Sequence, residues 1–395
     1  MKHPGPQDRF SAKEDWRNGG FALYVHWPYC QAKCPYCDFN SHVAQNIDHG
    51  AWRDAYVAEI ARWAALTPGR TLTSIFFGGG TPSLMKPDTV SAVITAARGN
   101  WLASNSMEIT LEANPASVDV ARFRDLADAG VNRVSLGMQA LNDADLRRLG
   151  RLHDASDALK AWDIANSVFE RTSLDLIYAR QDQTLDQWRL ELSRAIALRP
   201  RHMSLYQLTI EEGTAFGDRH RSGKLLGLPD ENLGADLFEA TQEICEKAGL
   251  SSYEISNHAI AGEESRHNLV YWRYGDYVGV GPGAHGRVTL PDGRYAVANV
   301  RNPLLWLAAS QAGDDSAFEA VQLPLSEQAD EYLLMCLRLR EGVSLPRYAA
   351  LSGKPMDPSA INTLARHDLL WRDGTRIGAT ARGRPVLNGI LRALA

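Results

Sequence analysis

Short apolar runs alternate with longer stretches of helical periodicity through most of this chain. The pattern predicts strands over 21–26, 74–77, 108–111, 133–137, 173–177 and 203–208, and amphipathic helices over 51–66, 88–97, 118–129, 155–168 and 185–198. Asp119 and Thr184 stand where helix N-caps are needed. Strand–helix alternation of this kind points to a parallel α/β architecture. Six such units suit an incomplete (β/α)6 barrel better than a closed eight-stranded one, and chemistry on such barrels sits at the C-terminal strand ends. Residues 1–20, polar and ending in Gly19-Gly20, read as a flexible leader. Residues 320–395 read as a C-terminal helical module: a helix over 327–339, then a hairpin over 369–378 turning at Asp373-Gly374, suggests a winged-helix-like unit.

The polar residues that interrupt the apolar pattern fall at the strand ends. A cysteine-bearing loop follows the first strand, Gly78-Gly79-Gly80-Thr81-Pro82 the second, and Glu112-Ala113-Asn114-Pro115 the third. Met138-Gln139 closes the fourth, and Tyr206 and Gln207 lie near the end of the sixth. Asp175 is inside the fifth, on one face with Ser173 and Ile177 by strand alternation. Three glycines either make a tight turn or let a ligand's charged group approach bare backbone. Glu112 is either a loop acid or a partner for a ribose or ammonium, and Gln139 either caps the next helix or faces a ligand. A carboxylate such as Asp175 within an apolar strand needs a partner. Arg151, in Leu149-Gly150-Arg151-Leu152-His153, is either a solvated surface residue or a guanidinium aimed at a carboxylate, that of a ligand or of Asp175.

Three of the five cysteines are concentrated in Cys30-Gln31-Ala32-Lys33-Cys34-Pro35-Tyr36-Cys37. A zinc site would want a second Cys or His pair, and only His26 and His42 are near. A disulfide framework would leave an odd cysteine and need a secreted context. Three thiolates on one loop can instead hold three irons of a [4Fe–4S] cube and leave the fourth iron open. S-adenosylmethionine (SAM) needs such an iron to chelate through its amino and carboxylate groups. The CxxxCxxC spacing, with an aromatic before the last cysteine, resembles the radical SAM superfamily. Cys245 and Cys336 lie in apolar helical patterns and read as packing residues. With 42 basic and 47 acidic residues, net charge −5, no general polyanion-binding surface is implied. No signal segment or bilayer-length apolar run is evident, so a cytoplasmic protein of two or three domains is expected.

Tyr24-Val25-His26-Trp27-Pro28-Tyr29-Cys30, the glycine run, Leu111-Glu112-Ala113-Asn114-Pro115, Ser135-Leu136-Gly137-Met138-Gln139 and Asp175-Leu176-Ile177-Tyr178 occur in the order seen in the oxygen-independent coproporphyrinogen III oxidase family. The resemblance covers about residues 21–390. It implies a radical SAM partial barrel over 21–235, a barrel-completing, heme-binding segment over 236–319 and the C-terminal module over 320–395. It also implies cluster ligation by Cys30, Cys34 and Cys37, and SAM contacts from Tyr24, Tyr36, Gly79, Gly80, Thr81, Glu112, Gln139, Arg151 and Asp175. The oxidases carry a further cysteine two positions after the third ligand, where this chain has Phe39. Together with His267-Asn268-Leu269-Val270-Tyr271-Trp272 and Gly279-Val280-Gly281-Pro282-Gly283-Ala284-His285, this is similar to the radical SAM heme chaperones.

That branch implies heme as cargo and heme-acceptor proteins as partners, with peripheral contact to membrane-bound heme proteins and no nucleic acid. The C-terminal module, only mildly positive, then reads as a lid or docking surface. Imidazole is a common heme ligand, and Tyr271, Trp272 and Tyr274 offer aromatic surface beside His267. The plain alternative is a hydrogen-bonded loop histidine among core aromatics, with His285 the next ligand candidate. The functional alternative is the oxidase itself, decarboxylating coproporphyrinogen III through a 5′-deoxyadenosyl radical. Whether the chain is an enzyme is left open, and no catalytic residue is singled out.

Overall fold

The structure, a computed structural model, describes residues 12–395. Six parallel strands, β1 (Phe21–Trp27), β2 (Thr71–Gly79), β3 (Leu102–Ala113), β4 (Arg133–Gln139), β5 (Arg171–Tyr178) and β6 (His202–Gln207), pair in chain order. They coincide with the six predicted strands, most of them longer. A seventh parallel strand that the periodicity does not predict, β7 (Asp276–Val280), pairs with the other side of β1. Beyond it the antiparallel strands β8 (His285–Leu290), β9 (Gly293–Asn299) and β10 (Phe318–Gln322) complete that end of the sheet. At the opposite end, Asn257–Ala259 pairs antiparallel with β6. The outer parallel strands, β6 and β7, are therefore not bonded to each other, and the barrel is open along that seam.

Helices α1 (His49–Leu66), α2 (Pro87–Asn100), α3 (Val120–Asp128), α4 (Ala155–Val168) and α5 (Leu185–Ala197) alternate with the strands. Asp119 and Thr184 do cap α3 and α5, accepting from the backbone N–H of Arg122 and Gln187. Phe21, Leu23, Val25 and Trp27 belong to the buried apolar core that also holds Trp52, Tyr56 and Ile60 of α1. Tyr24 and His26, which alternate with them, line a cavity on the opposite face of β1. The α6 helix (Glu231–Lys247) buries Cys245, and α7 (Arg266–Trp272) packs against β1, β2 and β7. The α8 helix (Pro303–Ala312) places Trp306 flat on Trp52, 5.6 Å between centroids.

A second apolar core gathers Tyr332, Leu333 and Cys336 of α9 (Leu325–Cys336) with residues of α10 (Leu345–Ser352), α11 (Pro358–Arg366) and α12 (Leu387–Leu394). A three-stranded antiparallel sheet, Val343–Ser344, Arg376–Ala379 and Leu370–Asp373, belongs to it, and its hairpin turns at Gly374 with φ +56°. Part of the expected leader, residues 1–11, lies outside the described residues. The rest is anchored: Ala12–Asn18 forms a 3-10 helix, and the buried Asp15 carboxylate accepts from Arg347 of α10 at 2.7 and 2.8 Å. Among the described residues no helix is long and apolar enough to cross a membrane.

Candidate functional site

Alternation along the parallel strands turns one side chain in two toward a single cavity of about 1060 Å³. Tyr24 and His26, Phe76, Thr110 and Glu112, Ser135 and Gly137, Asp175 and Ile177, Ser204 and Tyr206 all line it. So do Cys30, Cys34 and Cys37 at its mouth, and all ten residues expected to contact SAM or heme. At its base Glu108, buried with Arg133, accepts from the backbone N–H groups of Arg266 and His267.

The cysteine loop is pinned from all sides by protein contacts. Tyr29–Cys30 and His42–Val43 pair in parallel and close it. Its carbonyls at Pro35 and Tyr29 accept from the N–H groups of Phe216 and Thr81 at 2.8 and 2.9 Å. Asn40 donates to the carbonyls of Pro282 and Arg301, and its own carbonyl lies 3.0 Å from Nε2 of His26. The glycine run gives space chiefly to this scaffold. A Cβ at Gly80 would come within 2.7 Å of the Tyr29 carbonyl, and one at Gly79, where φ is +107°, within 2.6 Å of the His26 ring. Any ligand contact from Gly79 and Gly80 is thus through backbone already bent to accommodate the first strand.

All three thiols are half-buried, and each sulfur has a polar neighbour. Thr81 donates to Cys30 at 3.4 Å, Arg151 to Cys34 at 3.5 Å, and Ser41 lies 3.8 Å from Cys37. Burial pushes the Cys30 and Cys37 thiols up, so in the absence of metal they are held protonated. This donor set fits a [4Fe–4S] cube: three sulfurs on one loop, each with a group able to support a metal-bound thiolate. Among the described residues no three His, Cys, Asp or Glu side chains converge on a single ion.

Arg151 does not pair with Asp175. Besides Cys34 it holds the carbonyl of Gly137 at 3.0 Å, while its Nε is buried without a partner. Asp175 is held instead by Ser135, at 2.8 and 3.0 Å, and by Ser173 at 3.0 Å. Gln139 does not cap a helix: φ of +68° at a register shift in β4 folds its amide back over Gly137. Burial first, then the charge of Asp175, pushes the Glu112 carboxyl up to about 8. Tyr36 lies against Phe216, and Tyr24 reaches Nδ1 of His26 at 3.1 Å. A buried unpaired guanidinium nitrogen, two crowded carboxyls and exposed backbone on one wall are complementary to an amino acid with a ribose. Ser135 and Ser204 beside Asp175, and the Tyr24–His26 pair, were missed from sequence, although the alternation that placed Asp175 and Ser173 on one face also selects those two serines.

His267 faces the interior of the barrel. It is 5% exposed, its ring lies on Phe76 at 4.9 Å, and its Nδ1 is 3.1 Å from Ser74 Oγ. Burial lowers its pKa to about 4, so the imidazole is neutral. Of the aromatic neighbours expected to serve a porphyrin, only Tyr271 lines the cavity. Tyr274 is a correction: it is buried in the C-terminal core, where it touches Tyr332 and hydrogen-bonds Glu331. Trp272 is likewise absent from the cavity wall, and its indole N–H is buried without a partner. His285 is exposed at the cavity mouth.

An open parallel barrel carrying a CxxxCxxC loop at its rim defines a radical SAM protein, and residues 24–191 match the model of the Radical SAM superfamily. The chain is 38% identical to the heme chaperone HemW of Escherichia coli K12 over 335 residues, 84% of this chain and 86% of that protein. It is 39% identical to mouse radical S-adenosyl methionine domain-containing protein 1, mitochondrial, covering 82% of this chain and 74% of that one. The fold is shared with the coproporphyrinogen III oxidase HemN of Escherichia coli (TM-score 0.78, 22% identity, 95% of this chain and 90% of that one). Within the radical SAM class, the chain belongs to the HemW family.

Proposed function

We propose that this protein is a heme chaperone that holds a [4Fe–4S] cluster and SAM and passes heme to acceptor proteins. The observation that carries the reading is the position of His267, the first residue of the His-Asn-x-x-Tyr-Trp segment, as a neutral imidazole in the cavity that the cysteine loop overhangs. Identity to HemW over most of both chains supports it, whereas the likeness to HemN, at 22% identity, speaks for the fold alone. Cys30, Cys34 and Cys37 would hold the cluster, which when bound supplies electrons and one open iron. Tyr24, Tyr36, Gly79, Gly80, Thr81, Glu112, Gln139, Arg151 and Asp175 would hold SAM against that iron. His267, with Nδ1 engaged by Ser74, keeps Nε2 for a heme iron.

The same reading takes 21–235 as the radical SAM unit, 236–319 as the heme-binding segment and 320–395 as a lid or acceptor-docking module. A reducing compartment such as the cytoplasm, with peripheral contact to membrane-bound heme proteins, suits thiols that must remain reduced. The test is anaerobic reconstitution followed by paired assays. The protein should bind hemin with a spectrum that changes in His267→Ala. It should yield no protoporphyrinogen IX from coproporphyrinogen III with reductant, cluster and SAM present. Decarboxylation coupled to 5′-deoxyadenosine release would overturn the reading.

A further inference from the structure

The seam where the barrel fails to close is lined by three tyrosines from three separate elements: Tyr206 of β6, Tyr271 of α7 and Tyr277 of β7. The strands β6 and β7 are the outer members of the parallel set, and α7 lies against β7 with His267 one turn before Tyr271. Tyr271 meets Tyr277 edge-on, 6.4 Å between centroids at 65°, and meets His267 at 6.1 Å and 73°. Tyr206 is 46% exposed although it also lines the cavity, so this wall reaches from solvent into the barrel.

We propose that Tyr206, Tyr271 and Tyr277 form a slot that admits a flat, carboxylate-bearing aromatic macrocycle edgewise through the seam toward His267. This deepens the heme reading and rests on it. Aromatic rings are suited to the faces of a planar ligand. Among the described residues, the hydroxyls of Tyr271 and Tyr277 have no hydrogen-bond partner, although each lines the cavity. Burial raises the pKa of the Tyr271 and Tyr277 phenols, so they stay neutral donors. A neutral phenol can donate to a carboxylate without the desolvation cost of a buried cation. Arg133, which also lines the cavity, is already committed to Glu108 at 3.0 Å.

The experiment uses the full chain and two probes, hemin and hemin dimethyl ester, whose carboxylates are masked. Tyr271→Phe and Tyr277→Phe keep the rings and remove the hydroxyls. Each should weaken hemin binding roughly tenfold while leaving the ester unchanged. Tyr271→Ala, which removes the ring, should weaken both probes. Cluster content and SAM binding should remain at wild-type levels in the Phe variants, which establishes that they fold. The imidazole-type iron spectrum should also remain, because the slot is not the ligand. Phe variants that bind hemin as the wild type does, or that lose hemin and ester equally, overturn the slot and leave the heme reading standing. A wild-type protein that binds neither probe removes both.

Discussion

Arg151 Nη1 stands 3.5 Å from the sulfur of Cys34, and Nη2 of the same guanidinium holds the carbonyl of Gly137 at 3.0 Å. One side chain thus joins the cysteine loop to the fourth barrel strand. A cationic donor on a thiolate favours the more negative, reduced state of an iron–sulfur centre. Arg151→Ala should therefore lower the cluster's reduction potential by on the order of 50–100 mV. It should also weaken SAM binding, with iron content near normal. Spectroelectrochemical titration checks the potential. An unchanged potential would show that the contact does not persist once metal is bound.

The five cysteines divide by environment. Cys30, Cys34 and Cys37 line the cavity, whereas Cys245 and Cys336 are buried in helices, with burial pushing both thiols up to about 12. Alanine at any of the first three should abolish a stable cube, measured as iron and sulfide per chain after anaerobic reconstitution. Cys245→Ala and Cys336→Ala should keep the metal and lose about 1–3 kcal/mol of stability through the space left behind. Iron retention that depends on Cys245 or Cys336 would be incompatible with the three-cysteine assignment.

The sixfold strand pattern was legible because each of those strands carries an apolar run that must be buried, and the rim was legible because polar residues interrupt those runs. The β7 strand escaped notice for the opposite reason. It is short, contains Gly279, and begins with Asp276, a buried carboxylate that only makes sense beside Arg70 and Arg294 from distant segments. The depth of His267 was equally hidden. It depends on Glu108 capping the start of α7 from 159 positions away, a contact that leaves no local trace. Nor could spacing show that Tyr274, three residues past Tyr271, packs with Tyr332 in the C-terminal core, away from the cavity.

Glu112 offers a test by pH. Its carboxyl is pushed up to about 8, by burial first and then by Asp175, from an ordinary value of 4.5. Below 4.5 the folded and unfolded chains both carry the proton, so the group has no effect on stability. As pH rises from there to about 8 the unfolded chain releases the proton more readily, and the metal-free fold is progressively destabilised. Glu112→Gln should thus be more stable than the wild type at pH 8 by on the order of 1–3 kcal/mol, an advantage that fades toward pH 4. An ammonium on the ligand favours the ionised carboxylate, so wild-type SAM affinity should rise between pH 6 and 8 with proton release, and the Gln variant should lose that rise. Urea denaturation and calorimetry in two buffers measure both effects. A stability difference independent of pH would sink the argument.

The buried pair Asp15–Arg347 gives the last prediction. Its side chains are each 5% exposed, and it joins the 3-10 helix at Ala12–Asn18 to α10 of the C-terminal core. Arg347 also donates to the carbonyls of Arg273 and Tyr274, immediately after α7, so one guanidinium ties three segments together. Removing the anion alone leaves Arg347 buried with a second cation, Arg294, whose Nη1 is 3.8 Å from the Asp15 carboxylate. Asp15→Ala should therefore cost about 3–5 kcal/mol. Arg347→Met strands the carboxylate less severely, because Arg294 remains, and should cost less. The double variant should fall well short of the sum of the two, since neither partner is then left uncompensated. A double-mutant cycle by urea denaturation measures the coupling, with proteolytic cleavage rates around residues 12–20 as a local readout. Strict additivity would show that the two side chains contribute independently and that the pair does not act as a latch.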